Sequence, residues 1–326
     1  MNEFSPLLPL FIPSFSSKGN LMILNSKMQY VSDNYSLLKA LDIRISKAYL
    51  ISAYDIYYGL MPQDFSEWPY TEYLFIDSGG YETNESFDLS ERNKYNYKVF
   101  PWNFHKMNTI YQRITSSSYF KNSNIILSSF DNICSFHDQI ISAYQLKKQF
   151  HNATIDFIVK INFPISELIQ SIRDNYSVLE NFLILGFTEK ELGCTIQERL
   201  LNLISIRHCL NNYGWHGYIH IFGGLEPNLA KLFYYAGADI FDGLSWQRIR
   251  YENNSTLYDP NKYIISYDEY DNKLLMMADN LSYMQSLSNM LSTSTDHREI
   301  YTAKIQKLLE VKGKNIQSIV QELEVE

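Results

Sequence analysis

Short runs of β-branched and apolar residues alternate in this chain with segments of helical spacing, and this alternation constrains the fold more than any other feature. Eight runs bounded by turn residues are typical of buried strands: Leu7–Pro13, Lys47–Ala53, Tyr73–Asp77, Asn124–Asp131, Ile155–Asn162, Asn181–Gly186, Gly217–Gly223 and Ala238–Leu244. Helical segments lie between most of them: Tyr35–Ile43, Phe136–Phe150, Ser166–Tyr176, Thr195–Leu210 and Glu226–Ala236. Alternating strands and helices favour a parallel sheet, and eight strands close it. We therefore predict an α/β fold, a (β/α)8 TIM barrel.

An open, doubly wound sheet is the competing arrangement for such an alternation. That fold places a glycine-rich turn after its first strand, whereas Ser14–Ser17 follows here. The interval from Tyr81 to Lys121 is too long for one crossover. It contains an aromatic and basic insertion, Lys94–His105, which either contacts a ligand at the barrel mouth or packs as a lid.

The last part of the chain differs in character from the barrel region. After Tyr258 the sequence becomes helical and charged, with candidate helices at Asn280–Leu291, Asp296–Val311 and Asn315–Glu326. No flexible linker separates them from the preceding strands. We predict a barrel over residues 1–258 and a helical C-terminal extension over residues 259–326 that packs on it.

Charge and composition narrow the class of partner and the cellular location. With 28 Lys and Arg against 36 Asp and Glu, the net charge of −8 argues against indiscriminate binding to a polyanion. A nucleic acid would need a local basic surface, aromatic stacking or a partner protein. No long apolar run or signal peptide is present, so we expect a cytoplasmic protein without membrane contact. Three widely separated cysteines encode neither a disulfide framework nor a cysteine-rich zinc site.

Three aspartates end apolar strands: Asp77, Asp131 and Asp242. One such aspartate is often only a helix N-cap, but chemistry in barrels of this kind sits at the carboxyl ends of the strands. Clustered carboxylates suit glycosidic chemistry, in which one attacks an anomeric carbon and another handles protons. They would also suit Mg²⁺. His216 and His220 fall on one strand face, and we interpret them as packing or surface residues rather than metal ligands.

Two Gly-Gly pairs stand out among only 13 glycines, at Gly79 and at Gly223. Each pair allows the backbone to approach another group closely, or else permits a tight turn from strand to helix.

Several motifs at these strand ends resemble one enzyme family. Asp77-Ser-Gly-Gly-Tyr81 resembles the DSGGF signature of the tRNA-guanine transglycosylases, which exchange a guanine in tRNA for a 7-deazaguanine. The further matches, in chain order, are Pro9–Gly19 to PVFMPVGT, Tyr49–Tyr54 to LANTYHL, Ser129–Asp131 to FDEC, Leu185–Glu189 to GGLAVGE, Phe222–Leu229 to GVGTPEDLL, and Gly237–Arg248 to GVDMFDCVLPTR. The resemblance covers roughly residues 8–250, and it also implies a TIM barrel.

The resemblance implies a role for each matching residue. Asp242 would be the nucleophile that bonds to C1′ of ribose or deoxyribose as guanine leaves, and Asp77 the general acid/base. Arg248 would lie near nucleic-acid phosphate. Asp131 would accept hydrogen bonds from the amino and ring N–H groups of the base. The remaining base-binding positions would be Ser78, Gly79, Gly80, Lys160 and Gly186.

Departures from the family pattern suggest a divergent member. The family's zinc site of three Cys and one His has no counterpart, because residues 249–326 contain no Cys and only His297. We therefore expect no metal and no other cofactor. Lys160 stands where the family usually has glutamine, and it would favour a different incoming base or pair with a carboxylate.

The implied activity is that of a pentosyltransferase that exchanges guanine for a 7-deazaguanine base in DNA or tRNA through a covalent Asp–sugar intermediate. Its partners would be the nucleic acid and the free base, with accessory proteins or a second copy of the chain as further candidates. Two alternatives stay open. One is a catalytically silent subunit that supports an active partner, and the other is a barrel enzyme that acts on a free nucleoside or sugar.

Overall fold

The computed structural model describes residues 6–18, 22–24, 30–83, 98–131, 133–252, 255–257, 269–293 and 298–309. The strands in this part of the chain are β1 (Leu10–Phe15), β2 (Met22–Leu24), β3 (Tyr30–Ser32), β4 (Ala48–Ser52), β5 (Tyr73–Asp77), β6 (Asn124–Ser128), β7 (Thr154–Val159), β8 (Ile184–Thr188), β9 (Tyr218–Phe222), β10 (Ile240–Gly243), β11 (Arg250–Glu252) and β12 (Ser255–Leu257). Eight of them form a closed parallel barrel in the order β1-β10-β9-β8-β7-β6-β5-β4, with β4 returning to β1. The predicted (β/α)8 fold is confirmed.

Helices connect the barrel strands and continue after the last one. Those in the described residues are α1 (Asn34–Ala40), α2 (Ala53–Tyr57), α3 (Gly80–Thr83), α4 (Phe104–Thr115), α5 (Phe136–Gln149), α6 (Ile165–Asp174), α7 (Tyr176–Leu179), α8 (Ile196–Asn212), α9 (Pro227–Ala236), α10 (Glu269–Ser292) and α11 (Arg298–Leu309). Short 3-10 turns occupy Asp42–Ile45, Phe65–Glu67, Ser118–Phe120, Glu189–Leu192 and Ser245–Gln247. Two antiparallel hairpins, β2-β3 and β11-β12, lie outside the barrel.

All eight predicted strands are present, with shifted ends. The first runs over Leu10–Phe15 and continues through Pro13, which the sequence pattern takes as its last residue. The strand pairs with β10 up to Pro13 and with β4 only at Ser14 and Phe15. The proline therefore lies where the ladder passes from one neighbour to the other. At the other ends, β6 stops at Ser128 and β7 at Val159.

The barrel interior has an apolar lower part and a polar upper part. Alternate residues of a strand face the same side, so an interior position repeats every two residues. The buried interior cluster contains Ile12, Leu50, Phe75 and Ile240. Two residues further along the same strands, the interior positions are occupied by Ser14, Ser52, Asp77 and Asp242. The change from apolar to polar side chains occurs at the carboxyl ends of the strands.

The C-terminal helices pack on the barrel through polar anchors. In α10, the Asn280 amide donates to the carbonyl groups of Trp246 and Ile249, both at 2.7 Å, and accepts from the Tyr251 N–H at 2.8 Å. In α11, the Arg298 guanidinium donates to Asp239 Oδ1 at 2.7 Å. The third predicted helix, Asn315–Glu326, and the part of the insertion before Lys98 lie outside the described residues. Across the described ranges, no helix is both long and apolar enough to cross a membrane.

Candidate active site

Asp242 lies inside the barrel mouth, where a hydroxyl, a backbone N–H and an imidazole contact its carboxyl group. The Ser14 hydroxyl donates to Asp242 Oδ2 at 2.6 Å, and the Gly223 N–H donates to Oδ1 at 3.1 Å. Ser14 accepts in turn from the Gly243 N–H at 3.1 Å, which fixes the orientation of its hydroxyl. Gly223 has a φ of +80°, and a Cβ there would meet nothing within 4 Å. The second Gly-Gly pair therefore serves a turn that aims a backbone N–H at Asp242.

A buried histidine joins Asp242 to a second aspartate. His220 Nδ1 is 2.6 Å from Asp156 Oδ2, and His220 Nε2 is 3.4 Å from Asp242 Oδ1. Burial alone would lower the pKa of His220, but Asp156 and Asp242 outweigh it and raise the pKa to about 9. The interpretation of His220 as a packing or surface residue therefore missed its charged partners, whereas His216 is exposed. An aspartate in the middle of the apolar strand Thr154–Val159 was the signal that could have revealed them.

Asp77 lies at the same end of the barrel as Asp242, in an environment that favours the protonated acid. Burial raises the pKa of Asp77 well above its usual range, and the neighbouring charges of Glu82, Asp131 and Asp242 raise it further. One hydrogen bond opposes them, from the Gly79 N–H to Asp77 Oδ2 at 3.0 Å. The two predicted catalytic aspartates therefore lie at the same end of the barrel in different surroundings.

The loop after Asp77 is packed tightly on both sides. Gly79 has a φ of +94°, and a Cβ there would lie 2.8 Å from the indole nitrogen of Trp102. That indole donates to the Ser78 carbonyl at 2.8 Å. A side chain at Gly80 would collide with the carboxylate of Asp131. The close approach predicted for this Gly-Gly pair is thus made by Trp102 and Asp131.

Lys160 lies between two carboxylates in the loop after β7. Its ammonium is 2.5 Å from Glu191 Oε1 and 3.8 Å from Asp131 Oδ1. Burial raises the pKa of Asp131 although Lys160 opposes the shift. Glu191 also accepts from the Ile161 N–H at 3.1 Å, so it is held in place independently of Lys160. Of the two predicted roles for Lys160, pairing with a carboxylate is the one that this arrangement contains.

The remaining predicted residues occupy different positions in the mouth. Gly186 lies beside His220 in the β8-β9 register. A Cβ at Gly186 would overlap the ring of Phe222, which lies against the imidazole of His220 with centroids 4.0 Å apart and the ring planes tilted by 31°. Arg248 is partly buried and follows the 3-10 turn after β10. Within the part of the chain that the structure describes, no group of three or more His, Cys, Asp or Glu side chains is arranged to hold a metal ion.

A further pair of buried acids, which the sequence did not indicate, lies next to Asp77. Glu82 accepts hydrogen bonds from the hydroxyls of Ser16 and Ser52, the latter at 2.7 Å. Asp55 accepts from the backbone N–H of Ser17 at 2.7 Å and from its hydroxyl. Burial raises the pKa of each acid to about 7, and each is also affected by a neighbouring carboxylate. Four serine contacts therefore replace the water that these carboxyls lose.

The raised pKa values of these buried acids predict that the protein loses stability as pH rises. Because the pKa of Glu82 is about 7 in the folded state and near 4.5 in the unfolded chain, the folded state binds more protons between these values. The stabilising contribution of Glu82 is therefore greatest below about pH 4.5, and it is lost as pH rises through about 7. His220 adds a loss between about pH 6.5 and 9, because its folded-state pKa is also raised. We expect urea unfolding to show a decrease of several kcal/mol in the free energy of unfolding between pH 5 and 9.

Glu82→Gln provides the matched comparison for this pH dependence. The glutamine side chain keeps the shape of Glu82 and one acceptor oxygen but cannot ionise. The free energy of unfolding of this variant should therefore fall less steeply over the same pH range. Parallel curves for the two proteins would show that Glu82 does not titrate in this window.

Comparison with known proteins does not assign this chain to a family. No protein-family model matches it, and a search of curated proteins found no match in sequence.

Proposed function

We propose that this protein is a pentosyltransferase that exchanges guanine for a 7-deazaguanine base in a nucleic acid, either DNA or tRNA. The observation that supports this most is the contrast between Asp242 and Asp77 at one barrel mouth. Asp242 is contacted by two donors and an imidazole, whereas the pKa of Asp77 is raised by burial and neighbouring acids. A base exchange needs one carboxylate that attacks and another carboxyl that carries a proton.

The proposed reaction uses Asp242 as the nucleophile and Asp77 as the group that carries the proton. The Asp242 carboxylate attacks C1′ of the target nucleotide, the bond from C1′ to the base breaks, and the departing guanine takes the proton of Asp77. The incoming base then gives its N–H proton to the Asp77 carboxylate and attacks C1′. The bond between C1′ and Asp242 breaks, and its electron pair returns to Asp242. The sugar stays attached throughout, so the nucleic-acid backbone is never cut.

Recognition of the base is assigned to the loops beside Asp77. Asp131 is an acceptor when ionised and would bind the amino and ring N–H groups of a guanine-like base. Lys160 supplies a compensating positive charge, because it lies between Asp131 and Glu191. Residues 78–80 carry the backbone that borders this pocket, and Gly80 allows Asp131 to approach it.

Exposed aromatic side chains near the mouth support a nucleic acid as the substrate. Tyr81, Phe100 and Phe104 are each about 40% exposed. Lys98 is also exposed, and the ammonium of Lys106 lies 5.3 Å from the ring centre of Tyr58. A base that is stacked inside a nucleic-acid double helix cannot reach a carboxylate within the barrel. The target nucleotide would therefore have to leave the base stack. Aromatic faces and lysines would hold the strand that remains outside.

Incubation with labelled guanine tests the proposal. We expect label to enter either tRNA or duplex DNA, and no label to enter free guanosine or deoxyguanosine under the same conditions. Exchange into a free nucleoside without a polymer would instead favour the small-substrate alternative. Folded protein that labels neither polymer, with or without added cell extract, would contradict the proposal.

A further inference from the structure

We propose that His220 and Asp156 are positioning residues that act on Asp242 and make it a good leaving group, so that the covalent intermediate breaks down readily. This inference rests on the proposed function and assigns roles to two residues that the strand-end motifs do not include.

The contact between Asp156 and His220 crosses a strand. Asp156 is on β7 and His220 is on β9, and β8 lies between them. A Cβ at position 186 of β8 would be 2.8 Å from Asp156 Oδ1 and would overlap the ring of Phe222. Glycine at position 186 therefore leaves the space through which the two side chains meet.

The contacts of His220 favour one placement of its protons. Neither Asp156 nor His220 is exposed to solvent. His220 Nδ1 lies 2.6 Å from Asp156 Oδ2, and a proton on Nδ1 would satisfy that carboxylate, which can only accept. If the ring were neutral, the lone pair of Nε2 would face Asp242 Oδ1 at 3.4 Å and repel its negative charge. When Asp242 is ionised, the favourable form is an imidazolium between two carboxylates.

The charge on this imidazolium acts differently on the two halves of the exchange. In the covalent intermediate Asp242 is an uncharged ester, and the imidazolium retains Asp156 as its ionic partner among the residues that the structure describes. When the incoming base attacks C1′, the ester bond breaks and Asp242 regains a negative charge that faces His220. The imidazolium therefore stabilises free Asp242 relative to the ester and favours the second step.

The test compares exchange with adduct accumulation in His220→Gln, Asp156→Asn and Gly186→Ala. For His220→Gln we expect exchange to fall by about tenfold to a hundredfold, the loss typical of one charged hydrogen-bonding partner. At the same time, the fraction of enzyme linked to labelled polymer on a denaturing gel should rise above that of the unmodified protein. Asp156→Asn and Gly186→Ala should shift both quantities in the same directions by smaller factors.

A loss of packing alone predicts a different result, because a loosened site would reduce exchange and adduct together. Tyr49→Phe serves as the control for buried polar substitutions, since its hydroxyl donates to the Pro69 carbonyl, away from Asp242. It should change neither quantity. If His220→Gln and Asp156→Asn both leave the adduct fraction unchanged or lower it while the unmodified protein exchanges guanine, this inference is wrong and the proposed function stands. If the unmodified protein exchanges no guanine into either polymer, both are wrong.

Discussion

Replacing Asp242 with Asn is expected to lower base exchange by at least about a thousandfold, as removal of a reacting nucleophile does in other enzymes that act through covalent intermediates. The amide oxygen of asparagine is a poor nucleophile toward C1′. The amide nitrogen would face either the Ser14 hydroxyl or the Gly223 N–H. The amide still has the size of the carboxylate, and Asp242 as a residue is only 6% exposed. The loss should therefore be one of chemistry and not of fold.

Measurement of initial exchange rates, together with circular dichroism to confirm folding, checks this prediction. Ser14→Ala is the matched variant, because it removes one donor from Asp242 but leaves the attacking oxygen in place. Its exchange rate should fall by about tenfold, the effect of one hydrogen bond to a charged group. If the Asp242→Asn variant retains more than a tenth of the original rate, Asp242 is excluded as the nucleophile.

Replacing Asp239 with Asn is expected to lower the free energy of unfolding by about 3–5 kcal/mol, because it removes the shared counter-charge of two largely buried arginines. Asp239 is 3% exposed. It pairs with Arg207 of α8 and with Arg298 of α11, the latter at 2.7 Å. It also accepts from the Ile219 N–H at 2.8 Å. One carboxylate thus joins two helices to the barrel.

Urea unfolding at neutral pH measures this effect, and an exposed ion pair supplies the comparison. Lys47 and Glu72 are 2.6 Å apart, but both side chains are about 41% exposed. Glu72→Gln should therefore cost less than about 1 kcal/mol. Similar losses for the two variants would show that burial adds nothing to the contribution of Asp239.

The sequence predicted the barrel well because its strands are defined locally. Each strand is a short apolar run between turn residues, and alternation with helices then limits the topology to few choices. The sequence defines the ends of the strands less sharply. Asp131 and Lys160 fall in loops after β6 and β7, although the pattern placed both residues within strands. Apolar and β-branched residues continue beyond the last ladder contacts, so composition does not show where pairing stops.

The site could be predicted only in part. Asp77, Asp131 and Asp242 were found because they end apolar runs, a property that can be read locally. His220 and Asp156 are 64 positions apart, and their contact exists only because the closed barrel brings β7 and β9 to either side of a glycine. Glu82 and Asp55 depend in the same way on serines from other segments. A local pattern can show that a polar side chain faces inward, but it cannot name the partner.

The most direct test of this account is the identity of the residue that holds the sugar. The protein is incubated with its polymer substrate in the absence of an incoming base and then denatured, digested with nuclease and protease, and analysed by peptide mass spectrometry. We predict one nucleotide remnant, attached at Asp242, that disappears when free guanine is added before denaturation. Attachment at Asp77, or guanine exchange with no attached sugar under any of these conditions, would contradict the account.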